Sequence, residues 1–170
     1  LYSKLSTSHF KDIYTDYKFN ISNDDSHVAT TNKADDQTAN KYTLGVTNTW
    51  LINKKGNQTL FNDLYFIKNN ANGDNNTYNK SLANLGYSFP WSESFTAYTK
   101  VEYFHQDFID SSAGRVDNNI SLSLGGFYSL SAKSMVTILL MYMQNNSTVS
   151  YFDYNKFSIT TLWSFNSSFF

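Results

Sequence analysis

Cysteine is absent from this 170-residue chain, which excludes disulfide frameworks, thiolate metal sites and cysteine nucleophiles. An excess of either charge is lacking too. Thirteen basic and 14 acidic side chains leave a net charge of −1 at pH 7. No basic patch offers itself to nucleic acid, and none is expected as a partner. Long apolar runs are also missing. The longest, "MVTILLMYM" at 135–143, is about half the ~20 residues of a membrane-spanning helix but fits the ~9–11 of a membrane-spanning strand. Only one proline and seven glycines occur. No run of ten or more residues keeps a 3.6-residue period. No signal peptide is visible and Leu1 stands first, so the chain reads as a mature or truncated product.

What is abundant is aromatic. Phe, Tyr and Trp make up 18% of the chain although only 41% is apolar. That content argues against disorder, and Tyr and Phe favour strands. The length suits one domain, taken as residues 1–170.

Period two recurs along the chain. Ile13, Thr15, Tyr17, Phe19 and Ile21 face one way, and Tyr14, Asp16, Lys18 and Asn20 the other. Tyr42, Leu44, Val46, Trp50 and Ile52 oppose Thr43, Gly45, Thr47 and Thr49. Residues 58–68 alternate less cleanly, with Phe61, Tyr65 and Ile67 sharing a face with Asp63. Ala83, Leu85, Tyr87 and Phe89 oppose Lys80, Leu82, Asn84 and Ser88. Phe95, Ala97, Val101 and Tyr103 oppose Thr96, Tyr98, Lys100 and Glu102. Ile120, Leu122, Leu124 and Tyr128 oppose Asn119, Ser121, Ser123 and Gly125. Residues 134–144 are apolar on both faces, and the run from Phe157 to Phe165 alternates again. A weaker run covers residues 1–9.

Short connections at 53–57, 90–93 and 129–134 alternate with longer polar ones at 22–40, 69–76, 107–117 and 145–153. A short turn near Lys11 completes the series. Tight periplasmic turns and long outer loops are the habit of transmembrane barrels. Period two alone also fits a soluble sandwich or lipocalin-like barrel. Three features favour the membrane. The runs are about ten residues long against ~5–6 for soluble strands. Aromatics gather near strand ends (Tyr42, Trp50, Tyr87, Phe89, Trp91, Phe95, Tyr128, Trp163 and Phe165), where barrels carry girdles. The opposite faces are small and hydroxylated rather than densely charged. The expected fold is therefore an all-β, antiparallel transmembrane β-barrel of eight or more strands in the bacterial outer membrane. On that face assignment Leu122→Arg is expected to impair folding into lipid and Ser123→Arg to be tolerated.

The last fifty residues carry a more specific pattern. Arg115-Val116-Asp117 precedes a strand, Tyr128-Ser129-Leu130-Ser131 stands at a turn, Asn145-Asn146-Ser147 leads to Tyr154 within "YFDYNK", and the closing strand ends in aromatics. This resembles the final hairpins of bacterial outer-membrane barrels, among them surface lipoprotein assembly modifiers and barrels encoded with polysaccharide export systems. The resemblance implies a terminal aromatic read by the barrel-assembly machinery, here Phe165 or Phe170. The five residues after Phe165 depart from the pattern, since such chains often stop at that Phe.

Nine candidate strands conflict with the even count of single-chain bacterial barrels. Either residues 1–9 form no strand, or the chain is the C-terminal part of a larger barrel. The loop alternation favours the second, with a domain incomplete at its N-terminus and a further N-terminal or periplasmic domain as a possible companion. Small residues such as Thr43, Gly45, Thr47, Ser121, Ser123 and Gly125 would underfill an eight-stranded interior.

Sites of chemistry are sparse. His9, His27 and His105 are too far apart for an HExxH-type site. His105 with Gln106, Asp107, Asp110 and Ser111 could be arranged as a hydrolase; polar loop residues are the reading preferred, and no catalytic residue, metal or cofactor is expected. Asp24, Asp25, Asp35 and Asp36 around His27 could bridge lipopolysaccharide through cations, but without an EF-hand pattern they read as a solvated loop. Asp16, Lys18, Asp63, Lys80, Lys100 and Glu102 fall on the less apolar faces and are expected to face a lumen, because a charge facing lipid near mid-bilayer is costly, ~2–4 kcal/mol for Lys or Arg. There they either form a mixed-sign ladder that fills the interior or line an aqueous path. The expected function is a channel or export conduit. The alternatives are a barrel that translocates surface lipoproteins and a closed structural or adhesion barrel acting through its loops. Outer-membrane lipid and lipopolysaccharide are the expected surroundings.

Overall fold

The computed structural model describes residues 2–10, 12–24, 33–53, 55, 57–109, 111–131 and 133–165. Nine strands run in chain order through one sheet: β1 (Tyr2–Phe10), β2 (Ile13–Asp24), β3 (Ala39–Leu51), β4 (Thr59–Ala71), β5 (Tyr78–Pro90), β6 (Phe95–Asp107), β7 (Val116–Ser131), β8 (Ser134–Ser147) and β9 (Tyr154–Phe165). Every neighbouring pair is antiparallel. The weak run at the start is a strand, since β1 pairs with β2 from Tyr2 to Phe10. The count is nine rather than eight. Among the described residues the sheet stays open, with no pairing between β1 and β9. No helix among them is long and apolar enough to cross a membrane.

The strands are long for a physical reason. β3 to β6 have 13 residues each and β7 has 16. Thirteen residues at ~3.3 Å each, tilted by ~40°, rise about 33 Å, enough to cross a ~25 Å apolar band with an interface at each end.

Burial is inverted relative to a water-soluble domain. Leu44, Leu64, Leu85, Leu122, Leu140 and Ile159 are all exposed, whereas Asn119, Ser121, Ser123 and Asn145 are buried. The buried apolar residues among those described are Ala39 and Phe108, both at loop bases. The register explains the split. Leu44, Phe66, Ser81 and His105 lie in one cross-strand row, as do Asn62, Leu85, Val101, Leu122 and Tyr142. These rows form an outward apolar face. Thr43, Ser121 and Ser123 lie on the other, where small side chains sit between larger neighbours.

On the apolar face, aromatics ring the turn side. Trp50, Tyr87, Phe89, Phe95, Tyr128, Trp163 and Phe165 all stand near strand ends there. The Tyr87 and Phe89 rings stack at 5.2 Å, and the Trp163 indole N–H donates to Ser134 Oγ at 2.8 Å. Amphipathic rings favour this level of a bilayer.

Two details differ from the sequence reading. The segment 129–134 is mostly strand: β7 reaches Ser131 and β8 starts at Ser134, with a register shift between Ser129 and Ser131. The Tyr128–Ser131 motif therefore ends a strand rather than forming a turn. The apolar face also carries a polar chain, in which the Thr15 hydroxyl donates to Asn48 Oδ1 at 2.8 Å and Asn48 Nδ2 to Asn62 Oδ1 at 3.2 Å. It lies within a few residues of the turn side, where these groups satisfy one another.

Two glycines on the polar face are held by close approach. A Cβ on Gly45 would fall 2.2 Å from the Tyr65 ring, and one on Gly86 would fall 2.1 Å from Phe61. The aromatic of the neighbouring strand occupies the space a side chain would need, which pins the register.

The long connections interlock at the opposite end. Short 3-10 turns at Lys33–Asp35 and Asp74–Asn76 meet. There Gly73 N–H donates to the Asp36 carbonyl at 3.1 Å, Asn72 N–H to the Thr38 carbonyl at 2.9 Å, and Asn75 Nδ2 to Asp35 Oδ1 at 2.9 Å. Further round, Ile109 N–H donates to the Thr77 carbonyl at 3.2 Å and Thr148 Oγ1 to the Gly114 carbonyl at 2.9 Å.

Asp36 ties this lattice. The Thr38 backbone N–H, 2.9 Å from its Oδ1, and the Thr38 hydroxyl hold its carboxyl below the usual carboxylate range, with Asn72 adding to the effect. A depressed folded value contributes stability above the ordinary carboxylate pKa, and that stability is lost as pH falls through the folded value. Amide exchange at Thr38 and Gly73, corrected for intrinsic rates, is therefore expected to accelerate as pH drops below about 4. Asp36→Asn should flatten that dependence; an unchanged profile in the variant would refute the assignment.

Candidate functional site

The register assembles a feature that spacing alone hides. On the polar face, Asp16, Thr47, Asp63, Asn84, Glu102 and Ser121 are successive cross-strand partners from β2 to β7. Three carboxylates thus lie in one row across the sheet. Thr47 Oγ1 donates to Asp63, and Asn84 donates through Nδ2 to Asp63 Oδ2 at 2.7 Å while accepting from the Asp63 backbone N–H at 3.1 Å. Local hydrogen bonds to both oxygens fix the orientation of the Asp63 carboxyl group.

Lysines flank the row from either side. Lys4 Nζ lies 2.8 Å from Asp16 Oδ2, and Lys100 Nζ 2.9 Å from Glu102 Oε2. Lys18 sits 5.6 Å from the Tyr65 ring centroid, and Lys80 lies 3.5 Å from that of Phe104. Asp63 has no ion pair among the described residues. The row therefore carries two compensated carboxylates and one held by neutral donors.

All six charges singled out from the sequence, Asp16, Lys18, Asp63, Lys80, Lys100 and Glu102, lie on this one face with Ser121 and Ser123. The sequence reading missed Lys4, whose strand alternates weakly, and the bridging Thr47 and Asn84. Only pairing across loops places those two between acids.

Ser123 requires a correction. It points to the polar face but is only 2% exposed, packed in register between Lys100 and Met141. An arginine there would displace both neighbours and stand beside a like charge. Tolerance of Ser123→Arg does not follow from its facing.

The remaining candidates fall elsewhere. Asp117 chelates Arg115, taking Nε at 3.1 Å and Nη2 at a shorter distance. That guanidinium lies between the rings of Phe108 at 4.2 Å and Phe152 at 3.4 Å. His105 Nδ1 is 2.9 Å from Asn118 Oδ1, which also accepts from the Tyr103 hydroxyl at 2.9 Å. Among the described residues no group of three or more acidic or histidine side chains is placed to hold a metal. Phe165 is exposed on the apolar face opposite Ser134. Phe170, His27, Asp25, Asp110 and Lys11 lie outside the described residues, as do the side chains of His9 and Asp24.

An open antiparallel sheet with an apolar outer face, an aromatic girdle and a polar inner face defines an outer-membrane β-barrel fold. Solved structures agree. The chain is similar to a loop L8 deletion mutant of OmpT, an outer membrane protein of Vibrio cholerae, with TM-score 0.63 and 18% identity over 92% of this chain and 50% of that one. It is also similar to OmpT expressed in the outer membrane, at TM-score 0.60 and 15% identity over 84% and 44% of the two chains. The in-vitro folded OmpT gives 0.59 and 14% over 94% and 50%. The chain thus spans about half the length of the structures it matches. No protein-family description matches it, and no curated relative does. Girdle, inverted burial and shared fold together place the sheet in the bacterial outer membrane.

The comparisons adjust two expectations. The likeness is to OmpT barrels and does not extend to lipoprotein assembly modifiers or polysaccharide-export barrels. The exclusion of a catalytic role is also corrected: the likeness to OmpT, at 14–18% identity, shows the fold alone and does not support that exclusion, which is withdrawn.

Proposed function

We propose that this sheet is one part of a larger outer-membrane barrel whose polar face lines a conduit for small polar solutes. The acidic row Asp16–Asp63–Glu102 carries the reading. Rings of charged side chains tune which ions pass a pore; here Lys4 and Lys100 offset Asp16 and Glu102, whereas the carboxylate of Asp63 has no ion pair among the described residues.

Strand direction supports the larger barrel. Across nine antiparallel strands, β1 and β9 run the same way. Joining them directly, or joining two copies edge to edge with a common orientation, would make a parallel seam. An odd number of additional strands closes the sheet antiparallel throughout. An unclosed edge does not persist in lipid, where each unpaired backbone group costs several kcal/mol. The share of the OmpT structures that the chain covers leaves room for such strands. In this reading the barrel-assembly machinery is a partner through Phe165 and Phe170, lipopolysaccharide surrounds the outer rim, and an N-terminal or periplasmic domain is compatible. Translocation of lipoproteins or export of polysaccharide would use the same lumen, but no contact favours either cargo. The interlocked loops favour one second reading, a closed barrel that acts through its outer surface.

Planar-bilayer recordings of the full-length protein across a salt gradient test the proposal. Steady conductance is expected, and Asp63→Asn should shift the reversal potential away from cations relative to the parent. Absence of conductance in a folded, inserted protein would leave the closed barrel.

A further inference from the structure

We infer that the lipid-facing side of the sheet carries a specific seat for a phosphorylated, multiply acylated sugar lipid of the outer leaflet, lipopolysaccharide. A trench of about 560 Å³ runs along β5 from the middle of the sheet toward the loops. Ser81 and Ala83 form its floor, Leu44, Leu64 and Phe66 one wall, and Tyr103 the other. Its volume lies in the range of small-molecule pockets, ~300–1,000 Å³.

Register makes the trench. Leu64, Ala83 and Tyr103 lie in one cross-strand row, and Leu44, Phe66, Ser81 and His105 in the next. In both rows β5 supplies the small residue between larger ones. The far wall is held back. The Tyr103 hydroxyl donates to Asn118 Oδ1 at 2.9 Å, and His105 Nδ1 lies 2.9 Å from the same oxygen, so both side chains lean toward β7. Elsewhere on this face a gap is closed by the chain itself: the Phe95 ring fills the space beside Gly126. Over Ser81 and Ala83 the space is open.

The trench is apolar and continuous with the face that meets lipid. It therefore takes a flexible hydrocarbon chain, which gains dispersion contacts on three sides instead of one. The head of the trench selects the lipid. The next row toward the loops is Tyr42, Lys68, Asn79 and Asp107. Lys68 stands two residues beyond Phe66, about 7 Å further toward water. It is exposed and makes no ion pair among the described residues. An ammonium placed there is a point charge for a phosphate group. Asp107 lies on the other side of Asn79 and turns that phosphate toward Lys68. Asn79 Oδ1 is buried without a hydrogen-bond partner, an exception among buried polar atoms. Turning this amide toward the trench head would let a headgroup hydroxyl donate to it. Acyl chain, phosphate and hydroxyl are thus matched in order along the strand, on the loop half of the sheet that faces the sugar-lipid leaflet. The seat rests on placement in the outer membrane and not on conduction, so either reading can fail without the other.

The test titrates full-length protein in detergent with rough-type lipopolysaccharide and follows retained lipid by native mass spectrometry. Dephosphorylated lipopolysaccharide and phosphatidylglycerol are the comparisons. One lipopolysaccharide retained per barrel is expected, at least tenfold more tightly than phosphatidylglycerol. Ala83→Phe, which fills the trench, should weaken retention at least tenfold while the folded band on unheated gels persists. Lys68→Gln, at the exposed rim, should weaken retention of the intact lipid several-fold and leave that of the dephosphorylated lipid unchanged. Leu140→Phe, on the same face but outside the trench, and Asp63→Asn, on the polar face, should change neither. No retained lipopolysaccharide, equal retention of phosphatidylglycerol, or undiminished retention in Lys68→Gln or in folded Ala83→Phe would overturn the assignment.

Discussion

Leu122→Arg is expected to abolish stable insertion of the sheet into a bilayer. Leu122 lies mid-strand in β7, 42% exposed, in register with Val101 on one side and Tyr142 on the other. No acidic side chain in the row on β5 to β8, which holds Leu85, Val101 and Tyr142, offers its guanidinium a counter-charge. An arginine facing lipid near mid-bilayer costs ~2–4 kcal/mol, a large part of a typical stability of ~5–15 kcal/mol. Leu122→Ala removes contact with lipid tails but introduces no charge and should still fold. Ser123→Ala, one residue on, should be neutral, because the alanine methyl fits the space that the serine hydroxyl leaves between Lys100 and Met141. The readout is the mobility difference between heated and unheated protein after refolding into lipid vesicles. A heat-modifiable band in Leu122→Arg, equal to that of the parent, would mean that this face does not meet lipid.

That contrast also marks what the sequence carried and what it did not. Facing was legible in β7 because Ile120, Leu122 and Leu124 alternate with Asn119, Ser121 and Ser123, and side chains of a strand alternate by geometry. Burial was not legible. Alternation tells which side Ser123 is on but not that Lys100 and Met141 close over it, because that depends on neighbours brought in by register. The acidic row is hidden for the same reason. Asp16, Asp63 and Glu102 are separated by loops of unequal length, and a shift of one residue in any pairing would send a carboxylate to the other face. Lys4 went unnoticed because β1 reads "YSKLSTSHF", where small hydroxyls blur the period. The chain Thr15–Asn48–Asn62 was equally invisible, since a lone polar residue on an apolar face looks like noise until its partners appear beside it. The loop lattice around Asp36 depends on backbone carbonyls and amides, which carry no sequence signature.

Lys100→Glu is the substitution expected to reveal most about the polar face. Lys100 and Glu102 are two residues apart on β6 and project to the same side, with Nζ and Oε2 2.9 Å apart and each side chain 25% exposed. Glu102 belongs to the row with Asp63, which Asn84 separates from it. Reversing Lys100 removes the compensating cation, sets two carboxylates side by side and adds a third to the field of Asp63. Breaking a buried ion pair costs ~3–5 kcal/mol; partial exposure reduces this to about 2 kcal/mol. A clear fall in melting temperature is expected, and the exchanged pair, Lys100→Glu with Glu102→Lys, should recover most of it because the attraction returns with its direction reversed. Conduction supplies an independent reading of the same residues. In a water-filled barrel with low-dielectric walls the added negative charge is felt strongly, so Lys100→Glu should move the reversal potential toward cations, while the exchanged pair, with its net charge restored, should return it close to the parent. A large loss of stability with no conductance in parent or variants would assign the row to a filled interior. Unchanged melting together with an unchanged reversal potential would show that Lys100 faces neither water nor a charged partner, and the conduit would lose the residue pair on which its electrostatics rest.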